Sequence, residues 1–526
     1  MPRKLFLFGM LLMAASIPLS VFGMSLAQFI MAGAWLLDKD YRTKLKLFYS
    51  NKASLLWCGF YGLHLLGSLW SSDTVYLAND LRIKLPMLLL PFLLSSFPAL
   101  IKKYYLTVFK VFVLATAVST FTSTGIWLEI IPYKKEITDI RQISIFISHI
   151  RLSLCVVFSC FLLLWFIRSH HQKKNYAFVI ADAMLALWFI AFLFILESMT
   201  GMLILFSCMI LVFAIQIFKY RNFKAGVAGL TILLFISAYS GYLIFQIYQH
   251  SFHPFDYSNI NKEEKTKNGN EYQHCFDCDE MENSTPVYIY ICEPELKEEW
   301  AKRSHLPYNG LDKQGHELKY TLLRYLASKG LRKDAEGVKA LAEKDIAGIE
   351  NGIANVNYNQ KGSLMIRIHK TLAEIKLYQS GKNPSGSSLV QRFEFWKAGW
   401  SIFKDHWLIG TGTGDVKKAF HEKYIELDSS LDERWRLRAH NQYLTIALTF
   451  GIGGLLYFLL TFFYPVLKFR NPSVLFCIFL SISALSFLTE DTLETQAGIT
   501  FVMFFMSLFI SVKAHFHPLD NEGGKA

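Results

Sequence analysis

RAHNQYLTIALTFGIGG, residues 438–454, joins a long polar stretch to an apolar run of membrane-spanning length. Arg438, His440, Asn441 and Gln442 crowd the mouth of that run. Charged or titratable groups are costly at such a depth unless they face a cavity or a partner, so all four are functional candidates. Gly451, Gly453 and Gly454 follow about three turns later and would let a neighbouring helix or a lipid-linked ligand approach the backbone closely. A snorkelling arginine followed by ordinary interfacial His and Asn explains each residue singly, but not the group together.

Working outward, 52% of the 526 residues are hydrophobic, only 18% are charged and 45 are Phe, which excludes a soluble globular protein of this size. Apolar windows of span length recur at 5–20, 22–37, 54–70, 83–99, 111–127, 143–167, 175–195, 200–217, 225–246, 440–465, 472–488 and 495–512. The first two are read as retained spans broken near Pro18 and Gly23, because no small-residue cleavage site follows them. Lys and Arg collect in alternate connections, at 38–53, the Lys102-Lys103 turn, 168–174, 218–224 and 466–471, while the turn Glu490–Glu494 is acidic. The sequence therefore predicts an all-α polytopic membrane protein of about twelve transmembrane helices with both ends cytoplasmic. Spans one to nine fall in 1–246, a helical periplasmic cap in 247–439, spans ten to twelve in 440–512 and a cytoplasmic tail in 513–526. The net charge of +12 is then topology information and not a nucleic-acid footprint.

Within 247–439 the stretch 261–286 is polar and turn-rich, and is expected to be a mobile excursion. Spaced Leu, Ile, Tyr and Ala at 313–347 and 362–379 predict amphipathic helices, in a cap too poor in apolar residues to stand alone. Cys275, Cys278 and Cys292 lie in this segment, where a disulfide, incidental thiols or a zinc site are the open alternatives. The Gly-rich run Gly410–Gly414 lacks the lysine of a phosphate-binding loop, so nucleotide binding is not expected.

Further polar groups stand near the same face. His149 and Arg151 open the sixth span two residues apart, so they do not share a helix face. Arg392, Trp396 and Trp400 repeat every four residues beside Glu394, as in a helix lying on a membrane interface. Arginines suit a phosphate-bearing lipid because the guanidinium fork binds phosphate bidentately and stays charged when desolvated. Arg392, Arg438 and Arg151 could stabilise a diphosphate leaving group, and His440 could take the proton of an attacking hydroxyl, with Asn441 or Gln442 holding its orientation. Such chemistry requires neither metal nor cofactor, although Glu394 and Asp415 keep a metal open.

GTGTGDVKKAFHEKY followed by RAHNQYLTIALTFGIGG resembles the O-antigen ligase and polymerase superfamily of bacterial envelope enzymes. The ligase pattern of His, a polar residue, a spacer and two small residues is matched by His440, Asn441, Gly451 and Gly454. The resemblance implies a glycosyltransferase of the bacterial inner membrane with its active site facing the periplasm. Its donor would be an undecaprenyl-diphosphate-linked glycan, its acceptor a lipid A–core sugar, and transfer would invert the anomeric centre. It further implies His440 as base and Arg392 as diphosphate ligand, with a chain-length regulator as a candidate partner. Where family members often carry Ser-Arg-Gly, this chain has Met199-Thr200-Gly201, so either Arg151 supplies that charge from the sixth span or the donor site is less basic than is usual in the family. A polymerase, a transferase acting on proteins and a polyprenyl-glycan transporter are the alternatives. The transporter lacks the internal symmetry expected of it.

Overall fold

The computed structural model describes residues 1–134, 137, 139–218, 223–252, 255–278, 280–359, 364–381, 383–469 and 472–512. The expected tail 513–526 lies outside them. The chain divides into two compact units, one made of Met1–Leu233 with the chain from Leu377 onward, the other of Leu234–Lys376.

The first unit is helical, and the helix that begins at Phe223 runs on from it into the second. Among the described residues seven helices are long and apolar enough to cross a membrane: Pro2–Leu19, Pro98–Trp127, His149–Gln172, Tyr176–Ile195, Met199–Phe218, Phe223–Gln249 and Gln442–Lys468. Val21–Leu37, Val474–Thr489 and Gln496–Ser511 are shorter apolar helices, and Lys52–Leu66 and Pro86–Ser95 occupy the two remaining windows. This is a polytopic, mostly helical membrane protein.

Local chemistry sets where these helices begin and end. Pro2, Pro86 and Pro98 stand at helix starts, where a missing N–H costs nothing. The first two helices are parted at Ser20, whose extended backbone follows Pro18 and whose hydroxyl accepts from Gly23 N–H. The turn expected at Lys102-Lys103 falls instead at Ser96–Phe97, because Pro98 starts a 30-residue helix that carries both lysines.

The core of this unit is aromatic. Phe109, Phe112, Phe158, Phe479, Phe501 and Phe505 form a continuous set of ring contacts at 4.7–6.3 Å. The helices His149–Gln172 and Gln496–Ser511 run through that core, with Leu152–Leu163 and Gly498–Ser511 buried without interruption. Their starts meet at Thr495, whose hydroxyl accepts from Arg151 Nε at 3.2 Å and from Gly498 N–H at 3.3 Å.

The second unit has a core of its own, built by Leu296, Trp300, Leu322, Tyr325, Leu326, Val338 and Ile349. Its helices include Glu293–Arg303, Leu318–Ser328, Ala335–Lys339 and Glu343–Glu350. The stretch expected to be mobile contains an antiparallel ladder, Met281–Glu282 with Thr285–Pro286, and a bridge between Gln273 and Ile291. A disulfide joins Cys275 to Cys278, leaving Cys292 a buried thiol.

Candidate active site

The polar residues of the first unit converge on the short turn Glu490–Glu494. Asp491 accepts from the backbone N–H of His440 and of Asn441, both at 3.1 Å, and from Thr445 Oγ1 at 2.8 Å. Two successive amides can share one carboxylate because His440 takes a left-handed backbone, φ 46°. A non-glycine residue held there signals a conformation imposed by its surroundings.

This corner fixes the His440 imidazole. Its ring stacks on Phe395, centroids 5.5 Å apart, and Nδ1 lies 3.5 Å from Glu490 Oε2. The other Glu490 oxygen accepts from Arg392 Nη2 at 2.6 Å. Arg151 closes the same group, with Nη1 at 3.9 Å from Glu490, Nε donating to Thr495 Oγ1 and Nη2 to the Asp491 carbonyl. Burial alone would raise the Glu490 carboxyl, but the His440 contact and the charges of Arg392 and Arg151 outweigh it and hold it below the usual carboxylate range. The imidazole is the most open part of this group, its side chain 31% exposed against 17% for Arg392 and 5% for Glu490.

Behind it lies a second set of charges. Glu494 receives Lys84 at 2.9 Å, Arg438 at 3.0 Å and the Gln442 amide at 3.0 Å, and Lys84 also pairs with Asp80 at 2.8 Å. Arg438 donates further to Tyr76 OH at 3.2 Å. Burial would raise Glu494, yet Lys84 and Arg438 drive it well below the normal range, and Glu494 and Asp491 raise Arg438 against its own burial.

His440, Arg392, Arg438, Arg151, Asn441 and Gln442 thus all belong to one cluster, but several do different work from that expected. Neither amide holds the imidazole. Asn441 Oδ1 caps its helix at Leu444 N–H and its Nδ2 bonds the Leu488 carbonyl, while Gln442 is spent on Leu493 N–H and Glu494. Glu394 is buried and accepts from Tyr378 OH and Ser429 Oγ. Trp396 packs in the small core around Phe395 and Phe420, facing Phe393 edge-on at 5.9 Å. His149 is half-buried at the first position of its helix, and its carbonyl accepts from Ser153 Oγ. The Ser153 and Ser198 hydroxyls share a hydrogen bond at 2.6 Å, and a Cβ at Gly201 would meet Ser153, so the 198–201 turn packs on the helix that carries Arg151, two residues along from it.

The residues that sequence reading missed are Glu490, Asp491, Glu494, Lys84 and Asp80. The acidic turn was legible only as a loop charge, although three carboxylates between two apolar spans need buried partners.

Gly451 has φ 68° and ψ −170°, a break within Gln442–Lys468. The segment that meets it is the backbone of Trp407 and Leu408, and Ile452 N–H donates to the Trp407 carbonyl. Thr411 and Gly412 N–H groups donate to the carbonyls of Leu448 and Thr449 that the break releases. The Gly-rich run is thus a brace for the His440 helix, and Thr413 ties it to the His64 carbonyl. Gly454 meets Phe450 of its own helix.

Residues 351–459 match the family model described as O-Antigen ligase (Wzy_C). No curated protein matches the chain. The chain is thereby linked to the O-antigen ligase family across the stretch that carries Arg392, Arg438 and His440.

Proposed function

We propose that this chain is a membrane glycosyltransferase that moves a glycan from undecaprenyl diphosphate to a hydroxyl of a lipid A–core acceptor at the periplasmic face. In this reading the membrane body makes twelve crossings, both ends are cytoplasmic and residues 247–439 are periplasmic.

The observation that carries the reading is the carboxylate of Glu490 shared between Arg392 and His440. A carboxylate on Nδ1 selects the tautomer with the proton on that nitrogen, which leaves the Nε2 lone pair for substrate. The acceptor O–H gives its proton to Nε2 as its oxygen attacks the anomeric carbon. The bond from that carbon to the diphosphate oxygen breaks, and the lipid diphosphate leaves with the electron pair. Attack opposite the leaving group inverts the centre. Arg392 donates to Glu490 through Nη2 alone among the described residues, so Nη1 and Nε can take the diphosphate. Arg438 and Arg151 act as positioning residues, holding the acidic turn that orients His440.

The test uses purified protein, a lipid-linked glycan and an acceptor. His440→Ala should keep donor binding and lose turnover by about 10²–10⁴-fold, the usual worth of a general base. Near-normal turnover across pH 6–8 would end the assignment. A polymerase would use the same donor chemistry with a second lipid-linked glycan as acceptor. Gene deletion separates the two: loss of the ligase leaves lipid-linked polymer beside a complete core, whereas loss of a polymerase leaves a core bearing one repeat.

A further inference from the structure

The second unit carries a row of aromatic rings that belongs to no core. Tyr257, Phe276, His274, Tyr290 and Tyr272 follow one another at centroid separations of 6.4, 5.8, 4.8 and 5.3 Å. None of the five joins the hydrophobic core of that unit, none is buried, and Phe276 is 39% exposed. Rings assembled in a row and left partly wet lose much of the benefit of burial, and such a surface marks a contact site.

The backbone supports the row at some cost. Tyr290 is held at φ 58°, in the left-handed region, and its hydroxyl accepts from Asn261 N–H at 2.9 Å. The Cys275–Cys278 disulfide brackets Phe276. Arg332 lies over the Tyr290 ring, 3.2 Å from its centroid, and Lys262 over Phe276 at 4.7 Å.

Two donors in the row lack acceptors. Tyr290 N–H donates to His274 Nδ1 at 3.3 Å, so the ring proton of the neutral imidazole sits on Nε2, and that atom is buried with no hydrogen-bond partner among the described residues. Burial and the neighbouring Arg332 charge lower His274, which keeps it neutral at pH 7. Arg332 sends Nη2 to Glu264 at 3.0 Å, while its Nη1 is buried and equally without a partner. Buried donors without acceptors are rare and point to a group that the site awaits.

A pyranose fits both features. One face of the sugar ring is a patch of C–H groups that packs flat on an aromatic ring, and its rim carries hydroxyl acceptors. We propose that the row from Tyr257 to Tyr272, with Arg332 and His274 as donors, is an oligosaccharide-binding platform for the sugar chain of the substrate. The identity of the ligand as glycan rests on the function proposed above, but the platform's residues are separate from the polar cluster around His440.

The experiment measures equilibrium binding to the full-length protein in detergent. The probe is surface polysaccharide of the producing cell, freed from its lipid by mild acid and cut to short oligosaccharides. Phe276→Ala should weaken binding about tenfold, the scale of one lost aromatic contact. Phe276→Trp should restore it, which excludes a folding defect, and His440→Ala should bind as the wild type does. Wild-type protein that fails to bind the probe, or a Phe276→Ala, Tyr272→Ala double variant that binds it unchanged, overturns the platform. Failure of the proposed function shows instead as wild-type protein that transfers no glycan from the lipid-linked donor to the acceptor, whatever the binding series gives.

Discussion

Glu490 Oε1 accepts a 2.6 Å hydrogen bond from Arg392 Nη2, and that contact ties a helix of the late loop to the turn between the last two apolar helices. Its second oxygen faces His440. Replacing Glu490 by Gln keeps the size and removes the charge that orients the imidazole. Turnover should fall by about 10²–10⁴-fold, as for loss of the base itself, while donor affinity holds or improves because Arg392 is released. Parallel loss of donor binding would show that Glu490 serves the diphosphate side and not His440.

Arg392→Ala should act on binding. Each charged hydrogen bond to the diphosphate is worth about 1.5–3 kcal/mol, so donor affinity should fall at least tenfold with the melting temperature little changed. Arg392→Lys should recover only part of this, since an ammonium is a point charge and cannot serve Glu490 and a diphosphate with one fork. Unchanged donor affinity in folded Arg392→Ala removes this residue from the site.

How far the sequence foretold this arrangement depends on which kind of signal each residue left. Apolar runs announce themselves by length, so a helix stands in every window read from the sequence, and Pro18 located the first break to within two residues. His440 and Arg392 were legible because polar side chains at a membrane boundary are conspicuous. Their link through Glu490 was not, because it is a contact between residues far apart in the chain and no local pattern encodes it. The amides show the same limit: Asn441 and Gln442 sit beside His440 in sequence, yet helix geometry turns one into a cap and the other toward Glu494. Gly451 was read as an opening for a helix or ligand, and only the fold shows that the Trp407–Leu408 backbone fills it.

That brace gives a contrast between two nearby glycines. At Gly451 a Cβ would lie 2.3 Å from the Leu408 carbonyl oxygen, and the φ of 68° with ψ −170° is tolerated almost only by glycine. Gly451→Ala should therefore cost about 1–3 kcal/mol or more, lowering yield and melting temperature together. At Gly453 a Cβ meets nothing within 4 Å, so Gly453→Ala should be neutral. Equal behaviour of the two variants in a thermal melt would refute the brace.

Orientation can be read with a reporter. If residues 247–439 are periplasmic, a reporter that works only in the cytoplasm should stay silent when fused near Asn283 and become active when fused in the basic connection 168–174. Activity at Asn283 would invert the topology and with it the side of the membrane on which transfer is proposed.

Lys333 supplies a pH signature for the second unit. Its Nζ is buried and donates to the carbonyls of Pro286 at 2.7 Å and Ile289 at 3.1 Å. Burial, helped by the Arg332 charge, brings its pKa down to about 7. A neutral amine still carries two N–H donors, enough for both carbonyls. In the unfolded chain the same lysine titrates near its ordinary value of about 10.4. Between these two values the unfolded chain binds a proton that the folded chain has released, so stability rises with pH across that window and is flat below it. Hydrogen exchange in 286–292, corrected for the intrinsic rate, should therefore become more protected from pH 7 to pH 9. Lys333→Met removes the titrating group and leaves both carbonyls unsatisfied, so the segment should be less protected throughout and its pH slope should vanish. If Lys333→Met keeps the wild-type slope, the proton belongs to another group.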